Sequence, residues 1–189
     1  MIEQLVEIKE LEIEEKTIIL SNEIFCKRPY PNHPNGCPNY NPNYNPFCPP
    51  NTKLFEKKYD KYLIVYAKLN FKGYVNNRLK DHPDWTDKQA KCVLYWQGSV
   101  KKLLKIHLKK YSGIYELYGC GSGFNGSPSM EAVGINVFST MKLNGIKLEL
   151  HPSNYVYLVC LLCFKGEIKA RGTQSSLERF YQKNVMEVY

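Results

Sequence analysis

Three cysteines near the start of the chain, Cys26, Cys37 and Cys48, follow the spacing C-x10-C-x10-C, and His33 lies between the first two. Thiolates are soft, anionic donors that bind zinc and iron. Eight of the eleven prolines fall between Pro29 and Pro50, and proline at this density leaves too few amide donors for a helix or a central strand. Residues 26–50 are therefore predicted to be a Cys/Pro-rich segment that folds around a thiolate-bound metal or cluster.

Two kinds of metal centre fit these donors. His33 together with Cys26, Cys37 and Cys48 would give a Cys3His set, which suits tetrahedral Zn2+. Without His33, or with Cys120 as the fourth ligand, an iron–sulfur centre fits better, because such clusters are held by thiolates. Since the segment lacks the paired C-x2–4-C knuckles usual in structural zinc sites, we expect a 4Fe-4S cluster held by three or four cysteines. Such a cluster would support a redox or substrate-binding role with a small-molecule or redox partner.

A glycine-rich stretch, G-C-G-S-G-F-N-G at 119–126, surrounds Cys120. The sequence predicts that it leads from a strand into a helix, so its backbone N–H groups and the helix N-terminus could bind an anion or lower the pKa of the thiol. It lacks the G-K-[ST] of a Walker loop and the dinucleotide fingerprint, and a tight connection needing positive φ is the simpler alternative. The candidate anion- or substrate-binding residues are Gly119, Gly121, Ser122, Gly123 and Ser127.

A basic helix face offers a second possible function. The chain carries a net charge of +8 and fifteen tyrosines, and a helix through this region would align Lys101, Lys105 and Lys109. Such a row could contact phosphates while tyrosines stack on bases, although a solvated surface is the more common explanation for such lysines. The alternative function is therefore a basic nucleic-acid-binding module stabilised by zinc.

Three further cysteines are predicted to be structural. Cys160 and Cys163 lie in an apolar strand, where residues three apart point to opposite faces, so both are expected in the core. Cys92, on a predicted helix, is also expected to be buried. No histidine has a spacing that would mark it as a base for Cys120, so the sequence does not indicate an enzyme that works through this thiol without a metal.

The predicted elements alternate between strands and helices, which favours an α/β or α+β sandwich of a mixed sheet and helices. A single domain covers 1–189. The predicted elements are one or two strands in 2–20, a helix in 53–59, a buried strand in 62–69, a polar loop at 70–85, a helix from the Thr86–Gln89 capping box to about Tyr111, a strand in 114–118, a helix from Ser127 to Asn144 capped by Gly145, a strand at 146–150, a buried strand in 155–164 and a last helix from about Thr173.

Composition places the protein in the cytoplasm. Hydrophobic residues make up 43% and charged residues 23% of the 189 residues, as in ordinary globular domains. The sequence contains no run of about 18 apolar residues, so no membrane span is predicted. The acidic, alternating N-terminus is unlike a signal peptide. In a reducing compartment, seven cysteines favour metal binding over disulfides.

The sequence also resembles a family of uncharacterised, cysteine-rich proteins predicted to bind metal. C-P-N-Y-N at 37–41 with C-P-P at 48–50 is similar to that family's C-P-N-Y-G and C-P-P. S-P-S-M-E-A-V-G-I-N-V at 127–137 is similar to its R-P-S-M-E-A-x-G-I-D-V. The resemblance implies a metal or iron–sulfur centre at Cys37 and Cys48, with Cys26 as third ligand, and implies no particular reaction. Where that family carries a second cysteine cluster, this chain has only Cys120, so electron transfer between two clusters is not expected.

Overall fold

A four-stranded antiparallel sheet forms the centre of the computed structural model. The structure describes residues 2–21, 25–29, 33–38, 40, 45–113, 115–121 and 123–170; the helix predicted from Thr173 lies outside them. The sheet contains β1 (Val6–Ile13), β2 (Lys61–Asn70), β4 (Tyr115–Tyr118) and β5 (Tyr155–Phe164), in the order β1-β2-β5-β4. Two short strands, β3 (Tyr111–Ser112) and β6 (Lys169–Ala170), form a separate pair.

The two central strands are the apolar runs that the sequence marked as buried on both faces. Strands β2 and β5 pair antiparallel over their full length, with Val65 opposite Cys160 and Ile64 opposite Leu161. Ile64, Val65, Cys160 and Leu161 are all 0% exposed. Such continuous burial requires a layer of structure on each face of the sheet.

Each face of the sheet has its own hydrophobic core. Val65, Cys160 and Leu162 face a layer built by helices, whereas Ile64, Leu161 and Cys163 face a layer built by connecting segments and one short helix. Cys160 and Cys163 therefore lie on opposite faces, and the prediction that both are core thiols is confirmed. The fold is α+β, and the sheet is antiparallel throughout rather than mixed.

The prediction of a polar loop at residues 70–85 is wrong, because helix α1 (Phe71–Asp81) occupies most of this range. The Asn70 side-chain oxygen accepts a hydrogen bond from the Gly73 amide at 2.9 Å, as an N-cap residue does. Phe71, Tyr74 and Val75 are buried at the i, i+3, i+4 spacing of one helix face. A narrow apolar stripe among many polar residues was sufficient to form the helix.

The long helix predicted from Thr86 is broken into three pieces. The Thr86–Gln89 capping box is present, but the helix that it begins, α2 (Asp87–Ala90), is short. A 3-10 turn follows at Val93–Tyr95, and then α3 (Gln97–Leu108), which buries Val100, Leu104 and Leu108. Cys92 lies half-buried between the pieces and not on a helix. Ile2–Leu5, Glu15–Thr17 and Phe25–Lys27 form further 3-10 turns.

Two other predicted elements are replaced by extended chain and turns, and a third is shortened. No helix forms at 53–59 and no strand at 146–150; instead the Phe55 amide donates to the Val133 carbonyl at 2.9 Å. Helix α4 (Val137–Leu143) begins ten residues later than predicted, with Asn136 and not Ser127 as its N-cap. Gly145 follows the helix with a φ of 82°, as predicted for its C-terminal cap. Among the described residues, no helix combines the length and apolar character needed to cross a membrane.

Candidate metal centre

One cavity of about 680 Å³ is lined by all four cysteines that the sequence predicted as metal ligands. We call it the cysteine cavity. Its walls come from the Cys/Pro-rich segment, from the first turns of α3, and from the chain between β4 and α4. The lining residues are Phe25, Cys26, Cys37, Cys48, Gln97, Lys101, Cys120, Gly121, Ser129, Glu131, Ala132, Asn136, Val137 and Phe138.

Tight turns position the three cysteines of the segment. Cys26 lies in the 3-10 turn Phe25–Lys27, and its carbonyl accepts a hydrogen bond from the Cys37 amide at 2.7 Å. The Cys48 amide donates to the Asn45 carbonyl at 3.2 Å, and the Cys48 carbonyl accepts from the Asn51 and Thr52 amides. Cys48 is 3% exposed, while Cys26 and Cys37 are half-buried. The segment thus presents three partly desolvated thiols to one space.

The electrostatics of Cys26 show that the two other thiols lie near it. Burial raises the pKa of Cys26 to about 11, and the neighbouring Cys37 and Cys48, followed by Glu131, contribute to the rise. Coulombic effects between side chains weaken with distance, so these groups share one local environment. A bound cation would reverse the effect, because it favours the thiolate form of each cysteine.

The thiols line one cavity without forming a closed ligand set. Among the described residues, no group of three or more His, Cys, Asp or Glu side chains has the geometry to hold a metal ion. His33 is not among the cavity's lining residues, and its carbonyl accepts a hydrogen bond from the Gly36 amide. Three cysteines therefore border one open space, and the kind of metal centre that they would hold stays a prediction.

Cys120 interacts with Cys160, a contact that the sequence analysis missed. A hydrogen bond from the Cys160 thiol, together with the nearby Lys101 ammonium, holds the pKa of Cys120 below its ordinary value. Burial in the core, and then the contact with Cys120, raises the pKa of Cys160. The charge effects on Cys120 come from Lys101 and Glu131, whereas those on Cys26 come from Cys37, Cys48 and Glu131. Three of the four predicted ligands, Cys26, Cys37 and Cys48, thus form one group, whereas the fourth, Cys120, is linked to Cys160.

Glu131 is a second residue that sequence reasoning did not single out. It lines the cysteine cavity and two neighbouring cavities of about 240 Å³ and 560 Å³. Burial raises the pKa of its carboxyl, and a hydrogen bond with Ser129 opposes that rise. In the sequence, Glu131 belongs to the S-M-E-A motif, which contributes only to the resemblance. That motif has a helix-like local pattern, so it does not indicate that the chain turns there and directs the Glu131 carboxyl towards a cavity.

The glycine-rich stretch does not have the geometry predicted for an anion site. No helix begins at Ser127, and the amides of Gly119, Gly123 and Ser127 already donate to the carbonyls of Pro128, Ser127 and Phe124. The Ser127 hydroxyl donates to the Phe124 carbonyl at 2.6 Å. Gly121 lines the cysteine cavity, and Ser122 lies outside the described residues. The alternative reading, a tight connection containing glycines of positive φ, describes Gly121, Gly123 and Gly126.

The lysines predicted as a nucleic-acid-binding face do not form one exposed row. Lys101 is half-buried and lines the cysteine cavity. The Lys105 ammonium lies 5.3 Å from the centre of the Phe124 ring, and Lys109 is exposed just beyond the end of α3. Because the first lysine turns inward, no continuous row of three cations faces the solvent on this helix. The nucleic-acid-binding alternative gains no support from this arrangement.

The chain matches no protein-family model, no curated protein and no solved structure. The resemblance described above therefore remains a resemblance.

Replacing Gly36 with alanine is expected to distort the segment between Cys26 and Cys37. Gly36 has a φ of 86°, and a Cβ there would lie 2.5 Å from the Cys26 carbonyl oxygen, far closer than atoms can approach. Metal content should fall at least about tenfold, the usual effect of misplacing ligands. Gly166→Ala is the matched control, because Gly166 has a φ of 82° and open space around it. Equal metal content in the two variants would show that this turn does not position ligands.

Proposed function

We propose that the protein is a metalloprotein whose centre, a 4Fe-4S cluster, is held by the thiolates of Cys26, Cys37 and Cys48. The observation that carries this proposal is that three thiols, held by tight turns, line one cavity, where burial and then the two neighbouring thiols raise the pKa of Cys26. A Cys/Pro-rich segment buries little apolar surface of its own, so a bound centre would supply much of its folding free energy. Because such a cluster needs a reducing environment, the proposal includes a cytoplasmic location.

The cavity explains what a three-cysteine cluster could do. When bound, a cluster with three protein ligands supplies one iron that is open to a small molecule or to electron transfer. The protein's own residues would hold and orient that molecule. Lys101 offers a cation, Glu131 a carboxyl, and Gln97 and Asn136 amides, all on the cavity wall. A small anionic molecule that also has a hydrogen-bond donor would match these groups.

The direct test is metal and sulfide analysis of protein prepared without oxygen. We expect about four iron and four sulfide per chain, a broad visible absorbance, and a paramagnetic signal after reduction. About one zinc per chain in place of iron would support the Zn2+ alternative. If neither iron nor zinc is retained, and reconstitution with iron and sulfide also fails, the proposal is wrong.

Loading of the metal-free protein is expected to become stronger as pH rises. Metal binds thiolates, and Cys26, with a pKa of about 11, must release its proton at neutral pH. Each proton released makes the apparent affinity rise about tenfold per pH unit. Zn2+ competition with a coloured chelator between about pH 6 and pH 8 measures this slope. An affinity independent of pH would mean that these thiols are not ligands.

Deprotonation of Cys26 has the opposite effect on the stability of the metal-free protein, which is expected to fall as pH rises. The pKa of Cys26 is raised from its ordinary value of 9.0 to about 11 in the folded state. The folded state therefore holds this proton more tightly than the unfolded state does. This contribution to stability is fully present below pH 9 and is lost as pH rises from 9 to about 11.

A further inference from the structure

Two thiols beside the proposed metal centre lie next to each other. Cys120 is half-buried and lines the cysteine cavity, so small molecules that enter the cavity can reach its sulfur. Cys160 is 0% exposed and lies in the core behind it. Cys120 packs against the core cluster that contains Cys160, and each thiol shifts the pKa of the other. One sulfur of the pair is accessible and its partner is sheltered.

The sheet explains this contact. Tyr118, the last residue of β4, pairs with Leu161 of β5, so the next residues along the two strands, Gly119 and Cys160, are neighbours. After Gly119 the chain turns, because Gly119 forms a bridge with Ser129 and leaves the strand. Cys120 comes directly after this turn. Cys120 is therefore only one residue beyond the strand neighbour of Cys160.

The surroundings of Cys120 favour reaction at its sulfur rather than at that of Cys160. The Lys101 ammonium would lie 3.3 Å from a Cβ at Gly121, on the cavity side of Cys120. A nearby cation stabilises a thiolate, and the thiolate is the form that attacks oxidants. Cys160, enclosed by apolar side chains of the first core, lacks both the cation and an access route. The pair thus has the arrangement of an attacking thiol and a resolving thiol.

We propose that Cys120 and Cys160 form a reversible oxidation site for hydrogen peroxide or a small organic peroxide. The Cys120 sulfur attacks one peroxide oxygen, the O–O bond breaks, and Cys120 sulfenic acid and water (or the alcohol) are formed. The Cys160 thiol then attacks the sulfenic sulfur, an S–S bond forms, and the hydroxyl leaves as water. In total two thiols lose two electrons and two protons to the peroxide, and a thiol reductant restores them. Since neither sulfur is a ligand in the proposed centre, this inference does not depend on the proposed function.

The test is to map disulfides after limited oxidation. Reduced, metal-free full-length protein is treated with a small excess of hydrogen peroxide, alkylated, digested and analysed by mass spectrometry. We expect loss of two of the seven thiols and one dominant cross-linked product that joins the Cys120 and Cys160 peptides. Dithiothreitol should restore both thiols. A disulfide among Cys26, Cys37 and Cys48 instead, or oxidation without any Cys120–Cys160 product, would overturn the proposal.

Variants separate the two chemical steps. In Cys160→Ala, Cys120 should accumulate as a sulfenic acid that dimedone traps, and the disulfide should be absent. Cys163→Ala is the matched control, because Cys163 lies on the same strand but on the opposite face, and its disulfide should form as in the wild type. Lys101→Gln should slow trapping several-fold relative to Lys109→Gln. If Cys160→Ala does not fold, the wild-type map and the lysine pair still decide the proposal, because equal rates in the two lysine variants contradict it.

Discussion

Cys48→Ala is expected to lower the bound metal at least about tenfold while the sheet stays folded. Cys48 is the most buried of the three predicted ligands, at 3% exposure, and its backbone already closes the turn from Asn45 to Thr52. Alanine keeps that turn and removes only the sulfur. Loss of residues that merely orient a ligand costs roughly 10–100-fold in metal affinity, so loss of a ligand should cost at least as much. Iron, zinc and sulfide content of protein prepared without oxygen measure the effect.

Cys92→Ala is the control for this experiment. Cys92 is a half-buried cysteine in the connection between α2 and the following 3-10 turn, and it does not line the cysteine cavity. Its replacement should leave the metal content unchanged. Equal loss from both variants would point to general destabilisation, and full retention by Cys48→Ala would exclude Cys48 from the site.

Leu161→Ala is expected to destabilise the fold by about 2–5 kcal/mol, the usual cost of a cavity left by a buried leucine. Leu161 is 0% exposed and pairs with both Ile64 and Tyr118 across β5. It lies where the three strands and the second core meet, so the surroundings cannot easily collapse into the space. For a chain of this size the unfolding midpoint should drop by about 2–4 °C for each kcal/mol.

Urea unfolding followed by circular dichroism measures this change, with Leu94→Ala as a matched control. Leu94 is 84% exposed, so removing the same atoms there should change the unfolding free energy by less than about 0.5 kcal/mol. A similar loss in both variants would mean that the structure assigns Leu161 to the wrong environment. Metal content of the Leu161→Ala protein should follow its folded fraction.

The sequence was informative where burial is continuous. Strands β2 and β5 were predictable because their continuous apolar runs, 62–67 in β2 and 155–164 in β5, can be satisfied only between two layers. Helix α1 was missed because only three of its residues are buried and most of the others are polar. The buried residues are Phe71, Tyr74 and Val75. Its N-cap, Asn70, also ends the preceding strand, and such a shared residue gives no separate signal.

Errors around the candidate site have a different physical cause. Ser127 and Pro128 form a good local helix start, but long-range hydrogen bonds, such as that from the Gly119 amide to the Pro128 carbonyl, hold this stretch in turns. Local propensity is worth less than such tertiary contacts. The thiols Cys26, Cys37 and Cys48 could be predicted as a group from their spacing and prolines. The pairing of Cys120 with Cys160, and the position of Glu131, could not, because both depend on which strands become neighbours.

The Cys/Pro-rich segment leaves and rejoins the fold at almost the same point. The Ser21 amide donates to the Gly134 carbonyl at 2.8 Å, and the Phe55 amide donates to the adjacent Val133 carbonyl at 2.9 Å. A segment whose ends lie this close together can be regarded as an insertion into the fold. The strands of the sheet and the buried residues of both cores come from the chain before and after it. Lengthening such a loop costs little, about 0.6 kcal/mol for each doubling. Evolution or an engineer could therefore exchange this insertion for one with other ligands while the scaffold stays the same.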